Sequence, residues 1–323
     1  MNRRSHITAL IGVTATMLGL ALPVAAQTRE INFGFISTES SNNLKAAWQP
    51  VIDDMQKATG LKVNTFFAPD YAGVIEAMRF NKVQLAWMGN KSAMEAVDRA
   101  SGEVFTRVVN VDGTQGYYSL MIVHKDSPLK TLDDVIRNRK DLTLGFGDVN
   151  STSGSLVPGF YAFGANKVDP SRDFKRSVRS NHETNILAVA GKQIDVATVA
   201  SDGVDRMKIK MPEKAAELRE VWRSPLIASD PLVWRKDLDA DSKKRVREFF
   251  ETYGRDTREK ENLAKLTLGG FVPSDNKQLI PIRQLELARE RSKVDADTAM
   301  AADDKSTKLK DIDARLAELA KVN

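Results

Sequence analysis

Cysteine is absent from all 323 residues, so the chain has no disulfide framework, no thiol nucleophile and no lipid-bearing cysteine. Histidine is nearly absent. The three present, His6, His124 and His182, are too few to build a histidine-rich metal site, and none is expected. The strained Gly-x-Ser-x-Gly turn of hydrolases is missing, as is the lysine-bearing phosphate loop of nucleotide enzymes. The nearest approach to a dinucleotide fingerprint, "GFGDVN", has Gly145 and Gly147 but Asn150 where the third glycine belongs. No enzyme activity and no cofactor are therefore expected. Beyond residue 26 no apolar run is long enough to cross a membrane. Charge of one sign is also scarce. The formal charge of +5 falls to +5 − 2 = +3 without Arg3 and Arg4, which excludes a nucleic-acid footprint and leaves "RNRK" (137–140) as a solvated helix end.

What is present begins with an address. Arg3 and Arg4 precede the apolar stretch "ITALIGVTATMLGLALPV", and Val24 and Ala26 supply small residues for cleavage before Gln27. Residues 1–26 read as a signal peptide. Export without a lipid anchor points to a soluble protein of the periplasm in a two-membraned bacterium. The remaining 323 − 26 = 297 residues suggest two domains held by a sizeable core.

The exported part alternates strand and helix patterns. "INFGFI" has period-two apolar residues and leads into the polar loop "STESSNN". "QPVIDDMQKATG" reads as a helix with Pro50 in its first turn and Gly60 past its end. "LKVNTFF", "YAGVIEAMRFNK", "VQLAWMG", "SAMEAVDRA" and "YYSLMIVH" continue the alternation, and from about residue 130 the cycle restarts. Such alternation favours α/β architecture with parallel sheets. His124, closing the "YYSLMIVH" strand, is expected to face solvent.

A weak internal repeat links the halves. "YAGVIEAMRFNKVQLAW" (71–87) and "HETNILAVAGKQIDVAT" (182–198) are each a helix, a lysine-bearing turn and a strand. With Ala86 aligned on Ala197, Tyr71 and His182 both lie fifteen residues upstream (86 − 71 and 197 − 182), each just before a helix. Two related lobes facing each other would aim both rings at one cleft, beyond the carboxyl ends of the strands.

"GDVNSTSGSLVPGFYAF" (147–163) adds three consecutive hydroxyls, Ser151, Thr152 and Ser153, after a strand. Pro158 is expected in a first turn, so the helix is expected to begin near residues 154–156. One hydroxyl is explained by ordinary N-capping, and the other two are not. Three hydroxyls at the positive end of a helix would make an anion site.

Together "STES", "FFAPDYAGVIEAMRFNKVQLAW", "GNKSAMEAVDRA", "GDVNSTSGSLVPG", "NHETNILAVA", "SPLIASDPLVWRK" and "LIPIRQL" resemble the periplasmic phosphonate-binding proteins of ABC importers, over nearly the whole exported chain to about residue 290. The resemblance implies an α/β, two-lobed periplasmic binding protein fold of type II-like plan that closes on its ligand by hinge motion. Two crossover strands are then expected near Ser119–His124 and Ala228–Val233. One lobe would take residues 27–122 and 229–290, the other 123–228, with a C-terminal helical segment at 291–323. The implied partners are a small phosphonate and an ABC permease in the inner membrane. By position, the resemblance assigns the phosphonate to Tyr71, Tyr117, Ser151, Thr152, Ser153 and His182. It assigns the amine of an aminoalkylphosphonate, 2-aminoethylphosphonate first among them, to Asp230 and Asp202. Asp202 stands where the family carries a glutamate, and Met88 where a tyrosine is expected. The other reading is a carrier of phosphite, phosphate or a simple alkylphosphonate, since the hydroxyl run would serve them all and only the amine end discriminates.

The C-terminal "DKSTKLKDIDARLAELAKVN" spaces Leu309, Ile312, Leu316 and Leu319 by three, four and three residues. Such a stripe packs either on its own domain or on a second copy in a homodimer, and at under three heptads the spacing allows both.

Overall fold

The computed structural model describes residues 29–321, and the signal-peptide segment lies outside the described residues. In chain order the strands are β1 (Glu30–Phe35), β2 (Lys62–Phe67), β3 (Leu85–Trp87), β4 (Gly102–Asn110), β5 (Gly116–Tyr117), β6 (Ser119–His124), β7 (Thr143–Gly147), β8 (Arg176–Ser180), β9 (Val196–Ala200), β10 (Leu218–Arg223), β11 (Ile227–Ala228), β12 (Pro231–Arg235) and β13 (Leu268–Pro273). The α-helices are α1 (Ser41–Thr59), α2 (Tyr71–Arg79), α3 (Asn90–Arg99), α4 (Leu132–Asn138), α5 (His182–Ala190), α6 (Ser201–Lys210), α7 (Pro212–Ala215), α8 (Ala240–Thr252), α9 (Thr257–Ala264), α10 (Ile280–Ala296) and α11 (Ala302–Ala320).

Two sheets carry the two lobes. One runs β13-β4-β12-β3-β1-β2 and the other β10-β6-β9-β7-β8. Each has a parallel heart of the same order, β2-β1-β3 in the first and β8-β7-β9 in the second. Each heart is flanked by an antiparallel strand, β12 on β3 and β6 on β9. The sheets are therefore mixed rather than parallel throughout, because the strands that enter and leave each lobe join its edge in the reverse sense. The repeat seen in the sequence is this shared unit, with Ala86 on β3 and Ala197 on β9.

The chain passes between lobes at β5 and β11, which pair antiparallel with Tyr117 opposite Ile227. The stretch Ser119–His124 is an interior strand of the second sheet, so the first passage falls a few residues earlier than expected. His124 differs from expectation too: it is buried, its Nε2 lies 2.9 Å from Glu217, and its Nδ1 accepts from the Asp126 N–H.

Helix α1 begins at Ser41, capped by Ser40, so Pro50 lies inside the helix rather than in its first turn. Trp48, Val51, Ile52 and Met55 bury one face of α1 on the first sheet, and that burial outweighs the local cost of proline. The expected stop at Gly60 is present, with φ of 67°.

The C-terminal stripe is taken up within the chain. Ile312 of α11 is buried with Leu287 and Val294 of α10, and Leu309, Leu316 and Leu319 pack around them. Arg291 and Asp313 pair across the same two helices at 2.6 Å. A partner helix from a second copy is not supported.

Candidate functional site

The loop after β7 is built to present hydroxyls. Gly147 backs directly onto Gly154, where a Cβ would meet the Gly154 backbone at 2.5 Å. Asp148 folds the turn, accepting from the Asn150 N–H with its side chain (2.7 Å) and from the Ser151 N–H with its carbonyl (2.9 Å). Ser151 then caps a helical run that starts at Thr152, earlier than Pro158 suggested. The run is wound wide: the Leu156 N–H reaches the Ser151 carbonyl and the Val157 N–H that of Thr152, both five residues back. Pro158 sits beyond the first turn, and the carbonyl five residues back that it cannot reach, that of Ser153, accepts from the Ser119 hydroxyl instead.

This winding fixes the sense of the hydroxyls. Ser151 Oγ accepts the Gly154 N–H (2.9 Å) and Thr152 Oγ1 accepts the Lys91 N–H (2.9 Å). With each oxygen held as an acceptor, its own O–H proton is left to donate outward. Ser153 completes the run, its carbonyl held by the Ser119 hydroxyl (2.6 Å). His182 opens α5 beside them. Its Nδ1 accepts the Ala200 N–H (3.2 Å), which puts the proton on Nε2, 3.4 Å from Ser151 Oγ. Burial pulls its pKa down to about 4, Arg206 adds to the fall and Asp202 opposes it, so the ring is a neutral donor near pH 7. Burial likewise holds the phenols of Tyr71 and Tyr117 well above their usual range, with the Asp230 charge adding to it, and both remain protonated. Tyr71 opens α2, and its N–H donates to Asp148 across the lobes (3.3 Å).

The carboxylates behave differently from one another. Burial disfavours charge on Asp202, but Arg206 outweighs it through a 2.9 Å ion pair and holds its pKa below the usual value. Arg206 also pairs with Glu39 of the opposite lobe at 2.5 Å, and Lys210 closes on the same Glu39. Asp230 has no such cation. Its pKa is pushed up to about 8, first by burial and then by the neighbouring Asp202 charge. Its Oδ1 is buried with no hydrogen-bond partner among the described residues.

All eight residues singled out in the sequence line one recess of about 260 Å³ between the lobes. Gly89 stands between its two kinds of group, where a Cβ would lie 3.3 Å from Thr152 Oγ1 and 3.8 Å from Asp230 Oδ1. Met88, by contrast, is fully buried and is not among the lining residues. Sequence reasoning missed Thr38, whose buried Oγ1 has no partner among the described residues, and the Arg206–Glu39 pair. Among the described residues no cluster could hold a metal ion.

A family model for the periplasmic substrate-binding proteins of phosphonate ABC transporters matches residues 33–279. The chain belongs to that family. It is 52% identical over 297 residues to the phosphonates-binding periplasmic protein of Escherichia coli K12, covering 92% of this chain and 88% of that one. The crystal structure of a binding protein component of an ABC phosphonate transporter from Pseudomonas aeruginosa superposes with a TM-score of 0.89 at 52% identity, covering 91% of this chain and 98% of that one. The PhnD1 protein of Prochlorococcus marinus, solved in complex with methylphosphonate, shares the fold at a TM-score of 0.72 and 18% identity, over 81% of this chain and 99% of that one. This is a phosphonate-binding component of an ABC importer, a carrier rather than an enzyme, which works in the periplasm with the membrane components of its transporter. Among the described residues no helix is long and apolar enough to cross a membrane.

Proposed function

We propose that the ligand is an aminoalkylphosphonate, 2-aminoethylphosphonate first among them. The phosphonate is held by Ser151, Thr152, Ser153, His182, Tyr71 and Tyr117, and the ammonium by Asp230 with Asp202. A phosphonate is a tetrahedral oxyanion that needs many donors in a small volume, and hydrogen bonds to a charged partner contribute about 1.5–3 kcal/mol each. Neutral hydroxyls, phenols and one imidazole supply those donors without a fixed cation in the first rank, which suits a carrier that must release its cargo.

The observation that carries the amine assignment is Asp230, a buried carboxyl whose Oδ1 has no partner among the described residues and on which the Asp202 charge acts more strongly than the Arg206 charge. A compact ammonium completes it. Asp202 plays the lesser part, because Arg206 already holds one of its oxygens. Titration calorimetry against 2-aminoethylphosphonate, methylphosphonate, phosphite and phosphate tests the reading. The amine ligand should bind at least tenfold more tightly than methylphosphonate. Equal affinities would remove the amine site and leave a general phosphonate or phosphite carrier.

A further inference from the structure

The cleft continues past the carboxylates. Asp202, Arg206, Asp230 and Tyr117 line the recess described above and also a second one, of about 480 Å³. Its further walls are mostly apolar, with Leu44 of α1, Val108 of β4, Leu266 and, at the start of β13, Leu268, and they also include Glu39 and Asn110. Three more lining residues from separate elements carry buried polar atoms: Trp48 on α1 and Trp87 on β3, each with its indole Nε1, and Ser229 after β11 with its hydroxyl. Trp48 is 1% exposed, Trp87 6% and Ser229 2%, and none of the three polar atoms has a hydrogen-bond partner among the described residues. Buried donors are seldom left unpaired, and an indole N–H can only donate. Of nine buried side-chain atoms without partners among the described residues, five line the two recesses, so the orphans gather where a ligand would lie.

We propose that this chamber receives a substituent on the ligand's nitrogen, so that the protein also takes N-substituted aminoalkylphosphonates whose tail is an apolar stem carrying a hydrogen-bond acceptor. The inference rests on the amine assignment to Asp230 and Asp202. A secondary ammonium keeps its charge and two N–H donors for those carboxylates while its second carbon substituent points onward. The stem is sheltered by the leucines and Val108, and the acceptor oxygen meets the indole N–H groups of Trp48 and Trp87.

A matched pair of ligands tests this on the unaltered protein. N-Butyl-2-aminoethylphosphonate and N-(2-methoxyethyl)-2-aminoethylphosphonate have tails of the same length and differ by one oxygen in place of a methylene. Burial alone favours the butyl compound, because the ether oxygen must give up water. The expected result is that both bind within about tenfold of 2-aminoethylphosphonate and that the methoxyethyl compound binds the tighter of the two. In Trp48→Phe and Trp87→Phe the order should invert, with the ether losing about threefold to tenfold relative to butyl, the worth of one hydrogen bond. If both tailed compounds bind more than a hundredfold more weakly than the parent, the chamber is closed to the nitrogen's substituents and the inference falls. A butyl compound that binds tighter in the unaltered protein, whatever the variants do, removes the acceptor part. If 2-aminoethylphosphonate fails to bind while methylphosphonate binds, the amine assignment itself is wrong and the inference goes with it.

Discussion

At the scale of single residues, the proposed anion end of the cleft would give hydroxyls two tasks at once. Ser151 caps a helix and offers a donor, while Thr152 takes a backbone N–H from the opposite lobe and offers another. Ser151→Ala, Thr152→Ala and Ser153→Ala should each weaken phosphonate binding by about 1.5–3 kcal/mol in calorimetry. Ser151→Ala should in addition lower folding stability by about 1 kcal/mol in urea melts, because it removes a cap. Wild-type affinity in all three variants would refute the assignment. Asp230 sets a second, pH-dependent expectation. Its pKa of about 8 means it is protonated below that pH in the free protein, and an ammonium favours the ionised form. Binding must therefore release a proton below pH 8, so affinity for the amine ligand rises as pH rises and levels off above it. Relative to methylphosphonate, the gain should grow as pH rises toward 8 and level off above it. Asp230→Asn should flatten that ratio, and a wild-type ratio independent of pH would show that Asp230 does not meet the amine. Five of the eight lining residues were legible in short local patterns, the hydroxyl run Ser151–Ser153 and the rings of Tyr71 and His182 at helix starts, whereas Tyr117, Asp202 and Asp230 came only through the family resemblance. Arg206 and Glu39 were not, since an ion pair 167 residues apart leaves no local trace, and nothing in the sequence pattern singled out Trp48 or Trp87.

Elements show the same division between local and distant causes. The repeat of helix, turn and strand predicted two related units, and the common strand orders β2-β1-β3 and β8-β7-β9 are its structural form. In both units the two connecting segments point helix starts at the cleft, "STES" and Tyr71 in one, "STS" and His182 in the other. What the pattern missed depended on packing. Pro50 was placed in a first turn and Pro158 likewise, but sheet burial in one case and a wide-wound turn completed by Ser119 in the other let both helices begin earlier. Periodicity also left the partner of the C-terminal stripe open, because spacing describes a face and not what covers it. With α10 now known as that partner, Ile312→Ala should loosen the hairpin of α10 and α11 by about 2–4 kcal/mol. Hydrogen exchange in α11 reads this directly, and the amides there should lose protection while those of β1 and β7 keep theirs. Unchanged protection in α11 would mean that Ile312 does not anchor it.

Across the whole molecule, the lobes also meet through ion pairs and hydrogen bonds outside the hydroxyl run. Glu39 of the first lobe takes Arg206 and Lys210 of the second. Glu183 of the second lobe accepts from the Ser40 N–H (2.8 Å) and the Asn43 side chain (2.5 Å) of the first. Opening the cleft breaks these contacts together, so they favour the closed form without any ligand, and a ligand shifts the balance further only by its own differential affinity for that form. Closure energy of this kind multiplies the affinity of every ligand equally, whereas a direct contact changes the ratio between ligands. Glu39→Gln separates the two. Losing about 1–2 kcal/mol of closure should weaken 2-aminoethylphosphonate and methylphosphonate alike by about fivefold to thirtyfold, leaving their ratio unchanged. Small-angle scattering should show the ligand-free variant with a larger radius of gyration than the ligand-free wild type, and both should contract to the same value at saturation. A selective loss of the amine ligand would instead make Glu39 part of the ammonium site. Unaltered affinity for both ligands would show that the Glu39 network is a bystander to closure, and that the lobes are drawn together by the phosphonate alone.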